Sequence, residues 1–92
     1  MSTITINSHR ELVSVIKNNT ELVVYYYASH SDHLMRPVIE SLDTKVAEVS
    51  LDKNDSFNVE NPPYTEVYQH QSLIFEQNGS VGVDKLEKIL SK

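Results

Sequence analysis

The residues best suited to chemistry lie in one short stretch, "ASHSDHLMRP", from Ala28 to Pro37. His30 and His33 are three apart, a spacing that lets two imidazoles on a first helical turn share a cation such as zinc, with Asp32 as a further ligand. A second chemistry is open to the same residues: Ser31, His33 and Arg36 are donors for an anion or carboxylate at a helix start, where backbone N–H groups lack partners. A helix start also disfavours a cation, because its partial charge is positive. Ser29 or Ser31 beside His30 or His33 has the composition of a nucleophile with its base. No Gly-x-Ser-x-Gly elbow and no orienting acid at a recognisable spacing accompany them, so catalysis ranks below metal binding. The plain alternative throughout is a polar loop that caps a helix.

Composition removes whole classes of function. The chain has no cysteine, which excludes disulfides, thiol redox chemistry, cysteine nucleophiles and thiolate metal sites. Its net charge of −5 repels a polyanion, so nucleic acid is not an expected partner. At 92 residues the chain is one domain, 1–92, that buries roughly 60–65% of the surface its unfolded form exposes. No apolar run approaches the roughly 20 residues needed to span a bilayer, and the first ten residues lack the order of a secretory signal. A soluble, cytoplasmic protein is expected. "NNT" at Asn18 to Thr20 matches a glycosylation acceptor but is more simply the loop after a helix.

The elements that must position the stretch follow from pattern. "TITI" alternates as a short strand does, and Ser8 with Glu11 makes a capping box for a helix whose buried stripe is Leu12, Val13 and Ile16. "ELVVYYYA", Glu21 to Ala28, is continuously apolar and aromatic, which predicts a central strand buried on both faces. Leu34, Met35, Val38, Ile39 and Leu42 then recur at helical spacing, with Ser31 or Asp32 as N-cap and Pro37 inside the helix, where it removes a hydrogen bond and kinks it. "KVAEVSLD" places Ala47, Val49 and Leu51 on one face of a third strand. Lys53 to Pro63 is polar loop, "YTEVYQH" a short helix, "SLIFEQNGSVG" a strand with an Asn-Gly turn and a very short partner, and "VDKLEKILSK" a last helix striped by Val83, Leu86, Ile89 and Leu90. The order βαβαβ-(α)-ββα predicts an α/β fold, a mixed central sheet with helices on both faces.

In this order the residues resemble the thioredoxin family: "ELVVYYYA", Pro37, "VSLD" to Asp52, "SLIFEQNG" and "VDKLEKIL" stand where that family has its central strand, kinked helix, third strand, late hairpin and last helix. The resemblance covers nearly the whole chain and implies a thioredoxin-like fold. The family's Cys-x-x-Cys stretch corresponds only to "SHSDH", its buried acid to Tyr25, and its cis-proline position to Gln71 or, one residue away, His70. Each departure removes a part of the redox chemistry, so the resemblance implies a redox-inactive domain with no catalytic residue and no cofactor.

In that fold the end of the central strand, the start of the kinked helix and the cis-proline loop meet on one side of the sheet, where binding sites tend to lie. The resemblance therefore makes His30, Ser31, Asp32, His33, His70 and Gln71 neighbours. It also lets His70 complete a metal set with His30 and His33. Tyr25, Tyr26 and Tyr27 are expected to be mostly core, whereas Tyr64 and Tyr68, four apart beside this loop, are better contact residues for a partner. The expected function is protein binding through a rim of His30, Ser31, Asp32, His33, Tyr64, Tyr68, His70 and Gln71. A histidine-based metal or anion site is the alternative. Size and acidity suit an accessory or regulatory protein, such as a small phage or plasmid product acting on a host protein.

Overall fold

The computed structural model describes residues 3–91. Strand β1 is Thr3–Ile6, helix α1 His9–Lys17, β2 Glu21–Tyr27, α2 Arg36–Ser41, β3 Val46–Ser50, β4 Tyr64–Gln69, β5 Ser72–Asn78 and helix α3 Val83–Leu90. The sheet order is β1-β3-β2-β4-β5, so the most apolar strand, β2, is central as its composition requires. β1, β3 and β2 run parallel, while β4 and β5 are antiparallel additions.

Alternation along β2 divides the core in two. Val23 and Tyr25 point to the side where Met35, Ile39, Leu42 and Leu86 pack from α2 and α3. Leu22, Val24 and Tyr26 point to the other side, against Leu12 of α1 and Phe57 of the loop that follows β3. That loop covers the sheet on this side through Phe57 and Val59. Asn54 Nδ2 ties it to the carbonyls of Ser50 and Ile6, and the Phe57 ring stacks on His9 at 3.9 Å. His9, the histidine outside the expected site, is thus a packing residue.

Local chemistry accounts for the helix ends. Ser8 Oγ accepts from the Glu11 N–H, and Glu11 Oε1 accepts in turn from the Asn7 N–H, one residue before the expected reciprocal partner. In α1 the buried stripe is Leu12 with the half-buried Val15 and Ile16, and Val13 is 49% exposed rather than part of it.

Three expectations need correction. The kinked helix is instead a 3-10 turn, Asp32–Leu34, followed by a separate α2 with Pro37 in its first turn, where the missing N–H costs nothing. Neither Ser31 nor Asp32 caps it by a side chain. "YTEVYQH" is β4, not a helix: Thr65 and Val67 alternate into the core at the strand period. Finally, β5 pairs backwards with β4 around His70 and Gln71, and Asn78-Gly79 is no hairpin turn but the exit from β5, with the Gly79 N–H bonded to the Pro63 carbonyl.

Thr65 lies opposite Tyr25 in the sheet, and its Oγ1 is fully buried with no hydrogen-bond partner among the described residues. An unsatisfied hydroxyl is costly to bury, and valine has the same shape without it. Thr65→Val is expected to raise stability by about 1 kcal/mol in chemical denaturation; a loss of stability would mean that the hydroxyl is bonded after all.

Candidate functional site

β2 ends at Tyr27, and β4 begins at Tyr64 opposite Tyr26, so the segments after Tyr27 and before Tyr64 share one end of the sheet. The chain turns tightly there. Ser31 and Asp32 donate their N–H groups to the Ala28 carbonyl, and Ser29 N–H donates to Asp52 Oδ2 at 2.8 Å. Those Ser29 bonds, with His30 nearby, hold the Asp52 carboxyl below its usual range. On the facing segment, a cis peptide joins Pro62 to Pro63 immediately before β4.

The expected residues separate at this point. Ser31 is only 2% exposed and its hydroxyl is spent on the Ala28 carbonyl, so it faces no partner. Asp32 accepts from the Tyr25 hydroxyl at 2.7 Å and pairs with Arg36 at 3.0 Å. Arg36 reaches on to Glu48 at 2.9 Å, and its guanidinium lies over the Tyr25 and Tyr27 rings, 5.4 and 5.2 Å from their centres. Burial first, then Asp32, pushes the Tyr25 hydroxyl far up. The residue expected at the family's buried acid is therefore a neutral phenol that braces the loop. The donors of the anion reading, Ser31 and Arg36, are already committed. His30, His33 and Leu34 remain exposed on this rim.

His70 and Gln71 are elsewhere. Glu21, the first residue of β2, pairs with Gln69, so the β4–β5 turn sits at the opposite end of the sheet from His30. The His70 N–H donates to the Thr20 carbonyl at 2.7 Å, and Gln71 Nε2 to that of Lys17 at 3.3 Å. The cis-proline position belongs to Pro63, not to Gln71 or His70. His70 accordingly cannot join His30 and His33, and no group of three or more histidines and carboxylates among the described residues is arranged to hold a metal ion.

Tyr64 and Tyr68 share one face of β4 with Glu66 between them. Glu66 is 9% exposed, and three phenols surround its carboxyl: Tyr26 donates to Oε1 at 3.0 Å, Tyr68 to Oε1 at 3.4 Å, and Tyr64 stands 3.4 Å from Oε2. The Tyr64 hydroxyl is closer to Glu76 Oε1, at 2.6 Å, on the strand directly opposite. Burial raises the Glu66 carboxyl above the usual range although the three phenols oppose the shift, and Glu76 adds to it. The same burial pushes the Tyr68 hydroxyl up to about 12.

A raised carboxyl means that the folded chain holds the Glu66 proton more tightly than the unfolded chain does. The stability this gives is present below the ordinary carboxylate range and is lost as pH rises through the raised value. Glutamine keeps the shape and no charge, and its amide can donate to the Tyr64 oxygen, whose own proton goes to Glu76. Glu66→Gln is therefore expected to gain stability relative to the parent as pH climbs from 4 to 7. Denaturation midpoints across that range decide it, and a pH-independent offset would refute it.

Sequence reasoning missed Leu34, which the helical spacing placed in the core. It is 49% exposed beside His33, because the chain breaks at Met35 and restarts α2 in a different phase. The signal was Pro37, which suits the first turn of a helix better than its middle.

No protein-family model and no curated protein sequence matches the chain. Solved structures match it closely in shape. A mutant thioredoxin from Halobacterium salinarum superimposes with a TM-score of 0.82 at 20% identity, covering 98% of this chain and 88% of that one. Mitochondrial thioredoxin 3 from Saccharomyces cerevisiae gives 0.81 at 21% identity over 97% and 93%, and Schistosoma mansoni thioredoxin 0.76 at 18% over 98% and 94%. The fold is thioredoxin-like, and it is carried by a chain with no cysteine.

Proposed function

We propose that this thioredoxin-like, redox-inactive domain works by binding another protein through the rim at the end of β2. The observation that carries the reading is the exposed trio His30, His33 and Leu34, held out on a braced loop at the sheet end where binding sites tend to lie. An exposed leucine beside two imidazole rings on a rigid base is suited to contact, since little entropy is lost on docking. Tyr64 and the Pro62–Pro63 segment border the same end; Tyr68, His70 and Gln71 do not, and they drop out of this rim.

The domain acts without catalysis of its own, as a regulatory or accessory module in the cytoplasm, and a small phage product acting on a host protein fits its size. Supporting this are the missing thiols and the absence, among the described residues, of any helix long and apolar enough to cross a membrane. The test is capture of a partner by the immobilised domain, followed by titration. Leu34→Asp and His33→Ala are expected to weaken the captured complex at least tenfold with the fold intact by circular dichroism. A complex indifferent to both changes would overturn the rim.

A further inference from the structure

α3 covers one face of β5, with Lys85 donating to Gln77 and lying over the Phe75 ring. On the opposite face, α1 and the loop of Phe57 and Val59 bury Glu66 and half-cover Tyr64 and Tyr68 of β4, while the β5 residues beside them are exposed. Along it run Tyr64, Glu66 and Tyr68 of β4, with Asn78, Glu76 and Leu73 facing them across the pair. Two recesses bracket this stripe. At one end, about 280 Å³ lies between Tyr64, Glu76, Asn78 and the Glu60 segment. At the other, about 270 Å³ is lined by Val13, Ile16, Lys17, Tyr68 and Gln71. The first recess carries carboxylates without an ion-pair partner among the described residues, where every such pair is made by Arg36. The second is apolar, flanked by Val13 at 49% and Leu73 at 42% exposure. Tyr64 lines the first recess and Tyr68 the second, and these two residues are four apart on one strand, about 13 Å along it.

We infer that the open face of β4 and β5 docks an extended segment of a partner protein that carries a lysine or arginine and an apolar side chain about 13 Å apart, four residues along such a segment. The cation enters the recess beside Glu60 and Glu76, where it meets negative charge and leaves the Tyr64–Glu76 hydrogen bond in place. The apolar side chain fills the recess beside Val13 and Tyr68. Complementarity selects this occupant: a second copy would bring the same excess of negative charge to the acidic end, since the chain carries −5. The face borders the rim of His30, His33 and Leu34 only at Tyr64, and either surface stands if the other fails.

The probes are two synthetic peptides in extended, proline-flanked form, Leu-x-x-x-Arg and Arg-x-x-x-Leu, titrated into isotopically labelled protein and followed by amide NMR shifts. At least one order should bind at sub-millimolar concentration, shifting amides of residues 64–78 and 13–17 while those of residues 30–34 stay in place. Glutamate for the arginine, or serine for the leucine, should weaken it at least tenfold, as should Glu76→Lys or Val13→Glu in the protein. His33→Ala should bind like the parent. Equal binding of the glutamate peptide, shifts centred on residues 30–34, or no shift at millimolar peptide would each overturn the assignment. So would concentration-dependent dimerisation of the free chain that perturbs the same amides, which would give the face to a second copy.

Discussion

Replacing Arg36 with alanine is expected to destabilise the fold by about 2 kcal/mol, and Arg36→Lys to recover little of that loss. One guanidinium satisfies two carboxylates, with Nε within 3.2 Å of both Asp32 oxygens and an Nη donating to Glu48 at 2.9 Å. Its Cζ also lies over the Tyr25 and Tyr27 rings while its fork holds both carboxylates, a combination that an ammonium cannot copy. Removing one member of a buried ionic group costs about 3–5 kcal/mol, chiefly because the partner charges are stranded. Here the arginine side chain is 25% exposed and those of Asp32 and Glu48 are 29% and 14% exposed, so water screens part of the loss and the lower figure applies. The stranding argument supplies its own control. Arg36→Met combined with Asp32→Asn and Glu48→Gln leaves no lone charge and should recover most of the stability in urea denaturation. An Arg36→Ala loss below about 0.5 kcal/mol, or a triple variant worse than the single one, would defeat the account. The effect should reach the rim as well. Asp32 opens the turn that carries His33 and Leu34, so amide exchange there should quicken in Arg36→Ala under conditions where the fold is intact.

Much of the architecture was legible because burial dictates composition. β2 had to be central, since no edge strand carries Leu22 through Tyr26 with every side chain buried. The β3 alternation likewise held, with Ala47, Val49 and Leu51 on the α1 side of the sheet. β4 was not legible from Tyr64 and Tyr68, because a spacing of four puts two residues on one face of a helix and of a strand alike. The discriminating signal was Thr65 and Val67, β-branched residues at alternate positions that enter the core.

The error in the site followed from the hairpin. Asn-Gly is the usual marker of a tight turn, yet the reversal occurs at His70 and Gln71, with φ of 51° and 68° and no glycine. Tertiary bonds to the carbonyls of Thr20 and Lys17 hold that backbone, and no local pattern announces such bonds. Taking Asn78-Gly79 for the turn carried His70 and Gln71 to the wrong end of the sheet, and with them the third histidine of the metal reading. The same slip hid Pro63, which keeps the place that Gln71 seemed to have taken. What departs from the thioredoxin pattern is therefore narrower than the residues first implied: the thiols and the acid are gone, and the proline is present.

Leu86→Ala should cost about 3 kcal/mol and lower the melting temperature by roughly 15 °C, the largest effect expected of a single truncation on the α3 side. α3 is eight residues long, too short to be stable in water by itself, so its order comes from packing. Leu86 is its one fully buried residue, set among Val23, Met35, Ile39 and Val67, with Val83, Ile89 and Leu90 only partly buried around it. Alanine there leaves a cavity that the rigid sheet cannot fill by collapsing. The damage should also be directional. β5 pairs only with β4, and α3 is what holds its second face through Phe75 and Gln77. Loosening α3 should therefore speed amide exchange in residues 72–78 as well as 83–90, while β1 and β3 at the other edge keep their protection. Val13→Ala, at an exposed position on α1, should change stability by less than about 0.5 kcal/mol and serves as the reference. If Leu86→Ala melted the whole chain uniformly, β5 would owe its order to the sheet alone, and α3 could not be treated as the support behind the open face of β4 and β5.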